Sequence, residues 1–278
     1  MAIELLNKFL KQKTMSAIKQ INLKELKNKT LVIDASIYMF KYKSENKLCE
    51  KIEKMISILL NNGINPIFVF DGSIMENKKE TIKKRKKIKQ ESILKISYYE
   101  NKENLTPDEK IELKQLKLNS TTLTIEDRIN VKSIVENCKI EYFESNLIEA
   151  DKICDNLIKN KKAWGCISDD MDMFAYGMPF ILRDLNIDNE TVVLYDTNKI
   201  INILNISMEN FKNICLLSGN DQFPELKNNI FKLFNYFEKF KKKNNKNNSF
   251  IDWLSYHYID KINYNKEKFG ILIKYVND

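Results

Sequence analysis

A single histidine, His257, serves the whole 278-residue sequence, which excludes a histidine-rich zinc centre. Any nucleophile–histidine pair would have to use that one residue. Glycine is scarce, at six, and none is followed by lysine, so the phosphate-cradling P-loop is absent, as is GxGxxG. The five cysteines (Cys49, Cys138, Cys154, Cys166 and Cys215) form no CxxC and are odd in number, which points to free thiols in a reducing compartment. The opening stretch MAIELLNKFLKQK has no uninterrupted apolar core of signal-peptide type. No apolar run approaches the roughly 18 residues that a membrane helix needs. These absences lead us to expect a soluble, intracellular protein with no membrane partner.

What the chain has in quantity is charge. Lysine and arginine number 46 against 38 acids, a formal charge of +8 and a pI near 9.0. That balance is compatible with a polyanionic partner. A chain of this length can bury a large core, as one large domain or as two.

Short β-branched and aromatic runs alternate with helical patterns. The strand candidates are Thr30–Ile33, Pro66–Phe70, Lys139–Phe143, Ala163–Ile167 and Val192–Tyr195. An apolar helical segment, Met55–Leu60, precedes the second. Ala150, Ile153, Cys154, Leu157 and Ile158 follow the spacing of an amphipathic helix. The alternation predicts an α/β fold, with a mainly parallel central sheet and helices on both faces. Residues 73–130 are polar and poor in strand signals, and read as a helical insertion. Within it Thr106, followed by Pro107, Asp108 and Glu109, marks one helix start, and Thr124 with Asp127 marks another. The tract Lys241–Asn248 is low in complexity and reads as a loop or linker. The last thirty residues carry enough aromatic and aliphatic side chains for a terminal helix or two.

The acids sit where the strands end. The first strand runs into Asp34, the second into Asp71 and the fourth into Ser168-Asp169-Asp170-Met171-Asp172. Glu149 and Asp151 open the amphipathic helix after the third, and Asp221 follows an apolar run and Ser218-Gly219-Asn220. Carboxyl ends of parallel strands share one edge, where open α/β sheets bind ligands. Taken singly, each acid is explained as a helix cap or a dipole partner. Taken together, Asp34, Asp71, Glu149, Asp151, Asp170, Asp172 and Asp221 would crowd one rim, and each unit of pKa elevation costs about 1.36 kcal/mol. Hard divalent cations, Mg²⁺ first and Mn²⁺ second, are the natural counter-ions. Two such ions about 4 Å apart activate water and stabilise the leaving oxygen of a phosphodiester. Without those seven acids the chain has 46 basic residues against 31 acidic ones, a basic body around an acidic centre.

Lys78, Lys79, Lys83, Lys84, Arg85, Lys86, Lys87 and Lys89 crowd the start of the insertion. Lys78 and Arg85, seven apart, share a helix face about 10 Å apart and could reach the scissile phosphate and its neighbour. For a lone basic run a solvated face or a nuclear import signal is the plainer reading; the location of Lys78, seven residues after Asp71, favours phosphate contact. Among Tyr38, Phe40 and Tyr42, one aromatic could stack on a base, and core packing is the default.

In order and interval these motifs resemble the flap endonuclease family, the structure-specific 5′ nucleases that include the xeroderma pigmentosum group G protein. The resemblance runs from residue 1 to about 225. It is carried by LVIDAS at Leu31–Ser36, by VFDG at Val69–Gly72 with Lys78 and Arg85 behind it, by Glu149-Ala150-Asp151, by Ser168–Asp172 and by Leu216–Asp221. It implies a PIN-like 5′ nuclease fold, with residues 73–130 as the helical arch through which a 5′ single strand passes, and residues 226–278 as a degenerate duplex-binding helical region. It implies a phosphodiesterase that uses two Mg²⁺ ions and leaves 5′-phosphate and 3′-hydroxyl ends. Asp34, Asp71, Glu149 and Asp151 would serve mainly one ion, and Asp170, Asp172 and Asp221 mainly the other. Lys78 and Arg85 match the arch cations that help catalysis, and Phe40 matches the aromatic that stacks near the scissile nucleotide. The implied partner is DNA with a 5′ single strand joined to duplex.

The sequence departs from the family pattern in four places. Residue 2 is Ala where the family usually has Gly, and Asp151 replaces a Glu. The stretch Glu225–Ile230 has no glycine where the family has a glycine-bearing hairpin that binds potassium and the duplex backbone; Asn228 or Asn229, more tolerant of left-handed geometry, is expected to make that turn. No sliding-clamp tail is found. A DNA nuclease of replication, repair or recombination, acting as a monomer in a nucleus or at a viral replication site, is the first reading. An RNA endonuclease on the same scaffold and a catalytically inactive nucleic-acid-binding module are the alternatives.

Overall fold

The computed structural model describes residues 3, 5–72, 79–102, 104–219, 226–243 and 249–277, without the side chains of 79–87 and 275. In chain order the elements begin with α1 (Leu6–Lys13), β1 (Ile18–Asn22), β2 (Thr30–Asp34), α2 (Ala35–Ser44), α3 (Leu48–Asn61) and β3 (Asn65–Asp71). There follow α4 (Lys79–Glu100), α5 (Pro107–Ser120), α6 (Ile125–Asn137), β4 (Tyr142–Ser145), α7 (Ala150–Lys159), β5 (Gly165–Ile167) and α8 (Met173–Tyr176). The chain continues through β6 (Phe180–Asn186), β7 (Thr191–Asp196), α9 (Thr197–Leu204), α10 (Met208–Ser218), α11 (Ile230–Lys242), α12 (Phe250–Tyr258) and α13 (Lys266–Asn277). Two compact units share them: a first of Leu23–Cys154 with Ile187–Glu190, and a second of the remaining residues.

In the first unit β2, β3 and β4 lie side by side and parallel, with Asp34 opposite Val69 and Asp71 opposite Ser145. The strands form because the runs TLVID and NPIFVFD are β-branched and aromatic, and nearly every residue in them is buried. α3 buries the stripe Leu48, Ile52, Met55, Ile56 and Leu59, at helical spacing. The described part of the insertion is helical, as expected. α4 and α5 pack on each other as antiparallel partners, stitched by Lys95–Glu112, Tyr99–Glu112 and Lys102–Glu109. Both expected starts carry full capping boxes, Thr106 with Glu109 and Thr124 with Asp127. α6 packs on α3 and buries Val131 and Val135.

The second unit corrects the expected fold class. Its strand order is β1-β7-β6-β5; β5 and β6 are parallel, but β6–β7 and β1–β7 are antiparallel. The sheet is therefore mixed, neither mainly parallel nor PIN-like. The cause is local: β6 and β7 are joined by the four-residue turn Ile187–Glu190, too short for the crossover that parallel neighbours require. α11 buries Ile230, Leu233, Phe234, Tyr236 and Phe237, and Phe9 of α1 meets Phe231 and Phe234 edge-on at 5.3 and 5.1 Å. α12 adds Phe250, Trp253 and Leu254, and α13 packs on α10. No helix among the described residues is long and apolar enough to cross a membrane.

Candidate metal and nucleic-acid site

In the first unit β2 delivers Asp34 at the N-cap position of α2, and the residue is only 4% exposed. Its carboxylate makes no cap bond to the helix, so the plain explanation for an acid at that place does not apply. Asp196, by contrast, ends β7 and does cap α9, accepting the Lys199 N–H at 2.9 Å. Asp71 ends β3, and Arg128 of α6 donates from Nη1 to its main-chain oxygen at 2.6 Å. Gly72 follows because nothing larger fits: a Cβ there would lie 2.1 Å from the Ser145 carbonyl oxygen. Ser145 Oγ accepts the N–H groups of Leu147 and Ile148 at 3.1 and 3.2 Å, turning the chain toward Glu149. The Glu149 carbonyl receives the first N–H bonds of α7, and Asp151 lies in that helix's first turn. Asp34, Asp71, Glu149 and Asp151 thus occupy the carboxyl edge of three adjacent parallel strands.

In the second unit the loop after β5 is knitted by its own side chains. Ser168 Oγ accepts Asp170 N–H at 3.1 Å, and Asp170 Oδ1 accepts Asp172 N–H at 2.9 Å. Asp169 points the other way, accepting Asp184 N–H at 2.7 Å, while its carbonyl oxygen takes Arg183 Nη2 at 2.8 Å. Asp172 stands before α8 without a side-chain cap bond. Burial, and then the Asp172 charge, push the Cys215 thiol well above its ordinary range. None of the five cysteines is in a disulfide.

Four of the seven expected ligands therefore lie in the first unit and Asp170 and Asp172 in the second, while Asp221 is outside the described residues. Among the described residues, no three histidine, cysteine or acid side chains are grouped closely enough to hold a metal ion. The donors on each strand end are carboxylates only. That set suits a hard, oxygen-seeking divalent ion and does not suit zinc.

Lys78 and Ala2 lie outside the described residues, and for Lys79, Lys83, Lys84 and Arg85 only the helix carrying them, α4, is described. Of the three aromatics of α2, Tyr38 and Tyr42 are core residues with ring centroids 5.9 Å apart, and only Phe40 reaches solvent. The hairpin expectation is corrected in its mechanism. Asn229 has φ −73° and caps α11, accepting the N–H groups of Phe231 and Lys232. Asn228 also keeps negative φ. Its side-chain Nδ2 faces the carbonyls of Leu226, Leu217 and Asn263 at 2.6, 2.9 and 3.0 Å, and its Oδ1 accepts Asn263 N–H at 2.8 Å. The turn is held by an amide side chain where a left-handed backbone was expected.

Two features escaped the sequence reading. One is Arg128, which nothing in the primary pattern sets apart. The other is a cationic, aromatic surface in the second unit. Tyr236 stacks on Tyr258 at 4.0 Å, and exposed Lys232, Lys239 and Lys261 hold their ammonium groups 5.7–5.9 Å from those rings. The available signal was charge: residues 226–278 hold eleven lysines against five acids.

Residues 1–92 match the XPG N-terminal domain, and residues 139–221 match the XPG I-region. The chain is 27% identical over 219 residues to flap endonuclease 1 of Methanococcus aeolicus, covering 73% of this chain and 65% of that protein. The chain thus spans just under two-thirds of that curated relative's length. The catalytic core of Rad2 in complex with DNA substrate superposes with a TM-score of 0.61 at 21% identity, over 98% of this chain and 83% of that one. The Holliday junction-resolving enzyme GEN1, in complex with product DNA and a Mg²⁺ ion, superposes at 0.58 with 19% identity, over 95% of this chain and 57% of the other. The fold is that of these nuclease cores, which replaces the PIN-like assignment.

Proposed function

Because the chain belongs to the XPG and flap endonuclease family, we propose that it is a Mg²⁺-dependent, structure-specific 5′ nuclease. Its substrate is DNA in which a 5′ single strand meets duplex, and its products carry 5′-phosphate and 3′-hydroxyl ends. The observation that carries this reading is the pair of acidic strand ends, Asp34 with Asp71 and Asp170 with Asp172. Asp34 and Asp172 stand at helix starts without making a cap bond, and both strand ends fall inside the two matched family regions.

Asp34, Asp71, Glu149 and Asp151 would hold one Mg²⁺, and Asp170, Asp172 and Asp221 a second. Bound there, the ions supply a water of lowered pKa and neutralise charge on the phosphodiester. The chain's own task is to fix that constellation and bring the phosphate to it. Arg128 and Gly72 set the main chain at Asp71, and the Ser168–Asp170–Asp172 ladder sets the second strand end. Lys78 and Arg85 hold the scissile phosphate and its neighbour, with Lys79, Lys83 and Lys84 on the adjoining strand. Phe40 stacks on the nearby base. Lys232, Lys239 and Lys261, around the tyrosine stack, grip the duplex backbone of a bound branched DNA.

The test is cleavage of a labelled 5′-flap DNA in Mg²⁺, with Asp170→Ala beside it. Cleavage lost in the variant, with flap binding retained, supports the reading. An RNA endonuclease on the same scaffold is the second reading, and cutting of single-stranded RNA with intact flaps would replace the first by it. Binding without cleavage of either, in Mg²⁺ or Mn²⁺, leaves a nucleic-acid-binding module.

A further inference from the structure

We infer that Arg128 contacts a backbone phosphate of the substrate beside the scissile one, while one hydrogen bond of its guanidinium fixes the main chain of Asp71. The inference rests on the nuclease reading and adds a residue to it.

Arg128 is placed rigidly. It stands in the first turn of α6, directly after the capping box, in which Thr124 Oγ1 accepts Asp127 N–H at 3.1 Å and Asp127 accepts Thr124 N–H at 2.8 Å. Asp127 also takes Lys43 Nζ of α2 at 2.7 Å, which ties that turn to the helix rising from Asp34. Val131 and Val135 bury the next turns. The guanidinium is thereby presented at the carboxyl end of β3, 2.6 Å from the Asp71 main-chain oxygen. An aspartate's own carboxylate is only roughly 3–5 Å from its carbonyl oxygen, so the cation lies within about 8 Å of that carboxylate.

The spending of its donors is informative. The Arg128 guanidinium has five N–H donors, and among the described residues one is used, on a neutral carbonyl. Among the described residues it has no carboxylate within ion-pair distance, although it stands on an acidic edge. The side chain is half-buried, and among the described residues none of its nitrogens is both buried and unbonded, so its remaining donors are not sealed by them. A planar fork with free donors suits a phosphodiester oxygen pair. The placement also answers an electrostatic need. An edge of carboxylates repels a polyanion, and a fixed cation at its margin lowers that repulsion where the backbone must enter. A purely structural role would need only the one N–H.

The experiment is single-turnover cleavage of 5′-flap DNA in Mg²⁺, and binding of the same DNA in Ca²⁺, by the full chain and by R128A, R128K and R128Q. Each is run on substrates carrying one uncharged methylphosphonate at successive positions around the scissile bond. R128A is expected to be slower by about 10–100-fold and to bind more weakly, as for a hydrogen bond to a charged group. At one methylphosphonate position wild type and R128A should become equal, because the contacted charge is already gone. R128Q keeps a donor for the Asp71 carbonyl without the charge, and should behave like R128A; R128K should fall between. The inference is overturned if R128A shows no deficit, or the same deficit on every substrate together with a raised Mg²⁺ requirement, which is the signature of a displaced Asp71. Absent cleavage by wild type would sink the nuclease reading alone; the binding comparison would still decide on Arg128.

Discussion

Two arginines do the same thing in different surroundings. Arg128 donates to the main-chain oxygen of Asp71, and Arg183 donates to that of Asp169, each at an acidic strand end of its own unit. Arg183 is 8% exposed, lies 5.8 Å from the Tyr195 ring centroid, and has Nε and Nη1 buried without hydrogen bonds. Arg128 is half-buried, and among the described residues its guanidinium spends one donor. The bond to the carbonyl is therefore not what distinguishes them; burial is. A guanidinium sealed in the sheet serves the fold, because moving it would expose the aromatic contact and the Asp169 turn together. One that opens to solvent beside the same kind of turn is available to a ligand.

The largest expected effect lies with the expected metal ligands at these two strand ends. Asp71→Asn and Asp170→Asn should each lower single-turnover cleavage by at least about 10³-fold, about 4 kcal/mol of barrier, with flap binding retained. Comparable loss of binding would mean that these acids hold the fold. Arg183→Ala comes next, and on stability. It removes a buried bond and leaves a void, so urea unfolding should show a loss of about 2–4 kcal/mol, against under about 1 kcal/mol for Arg128→Ala. If the two variants unfold alike, the contrast in burial has no energetic meaning. Asn228→Ala should cost about 2 kcal/mol in the same assay, since its amide serves three carbonyls and one N–H in the second unit. A neutral result there would show the turn to be held by its backbone.

Much of this was legible in one dimension, and the limits have physical causes. β2, β3 and β5 were visible because buried strands are written as continuous apolar runs, each ending at its acids. Thr106 and Thr124 were visible because a capping box is local in sequence. β1 and β6 were not. β1 is a polar edge strand, IKQIN, and β6 is broken by Arg183 and Asp184, with Asp184 at φ 54° beside a bulge. Missing them turned a hairpin into an imagined crossover, and so a mixed sheet into a parallel one. Phe40 was set apart by the resemblance alone, although Tyr38 and Tyr42, one helical turn apart, form the core pair and Phe40 lies on another face. Asn228 was weighed for its backbone tolerance when its amide is what acts. Arg128 has no sequence signature, because its partner, a carbonyl 57 positions away, is a product of the fold.

The smallest effect tests whether Arg128 owes its placement to the base of α6. Burial raises the Asp127 carboxyl, but the hydrogen bonds from Lys43 and Thr124 outweigh it, and the group titrates below its ordinary value. A carboxyl depressed in the folded state stabilises the protein above its unfolded pKa, about 3.9, and loses that contribution as pH falls through the folded value. Lys43→Met should therefore cost about 0.5–1 kcal/mol at neutral pH, the range for a partly exposed pair. The gap to wild type should close as pH drops below about 4. Because Lys43 bonds the Asp127 carboxylate and Arg128 is the next residue along α6, the variant should also reproduce a small part of the Arg128→Ala rate deficit. A cost that persists unchanged at low pH would show that Lys43 acts through packing of its stem, and that the first turn of α6 needs no ion pair to aim Arg128.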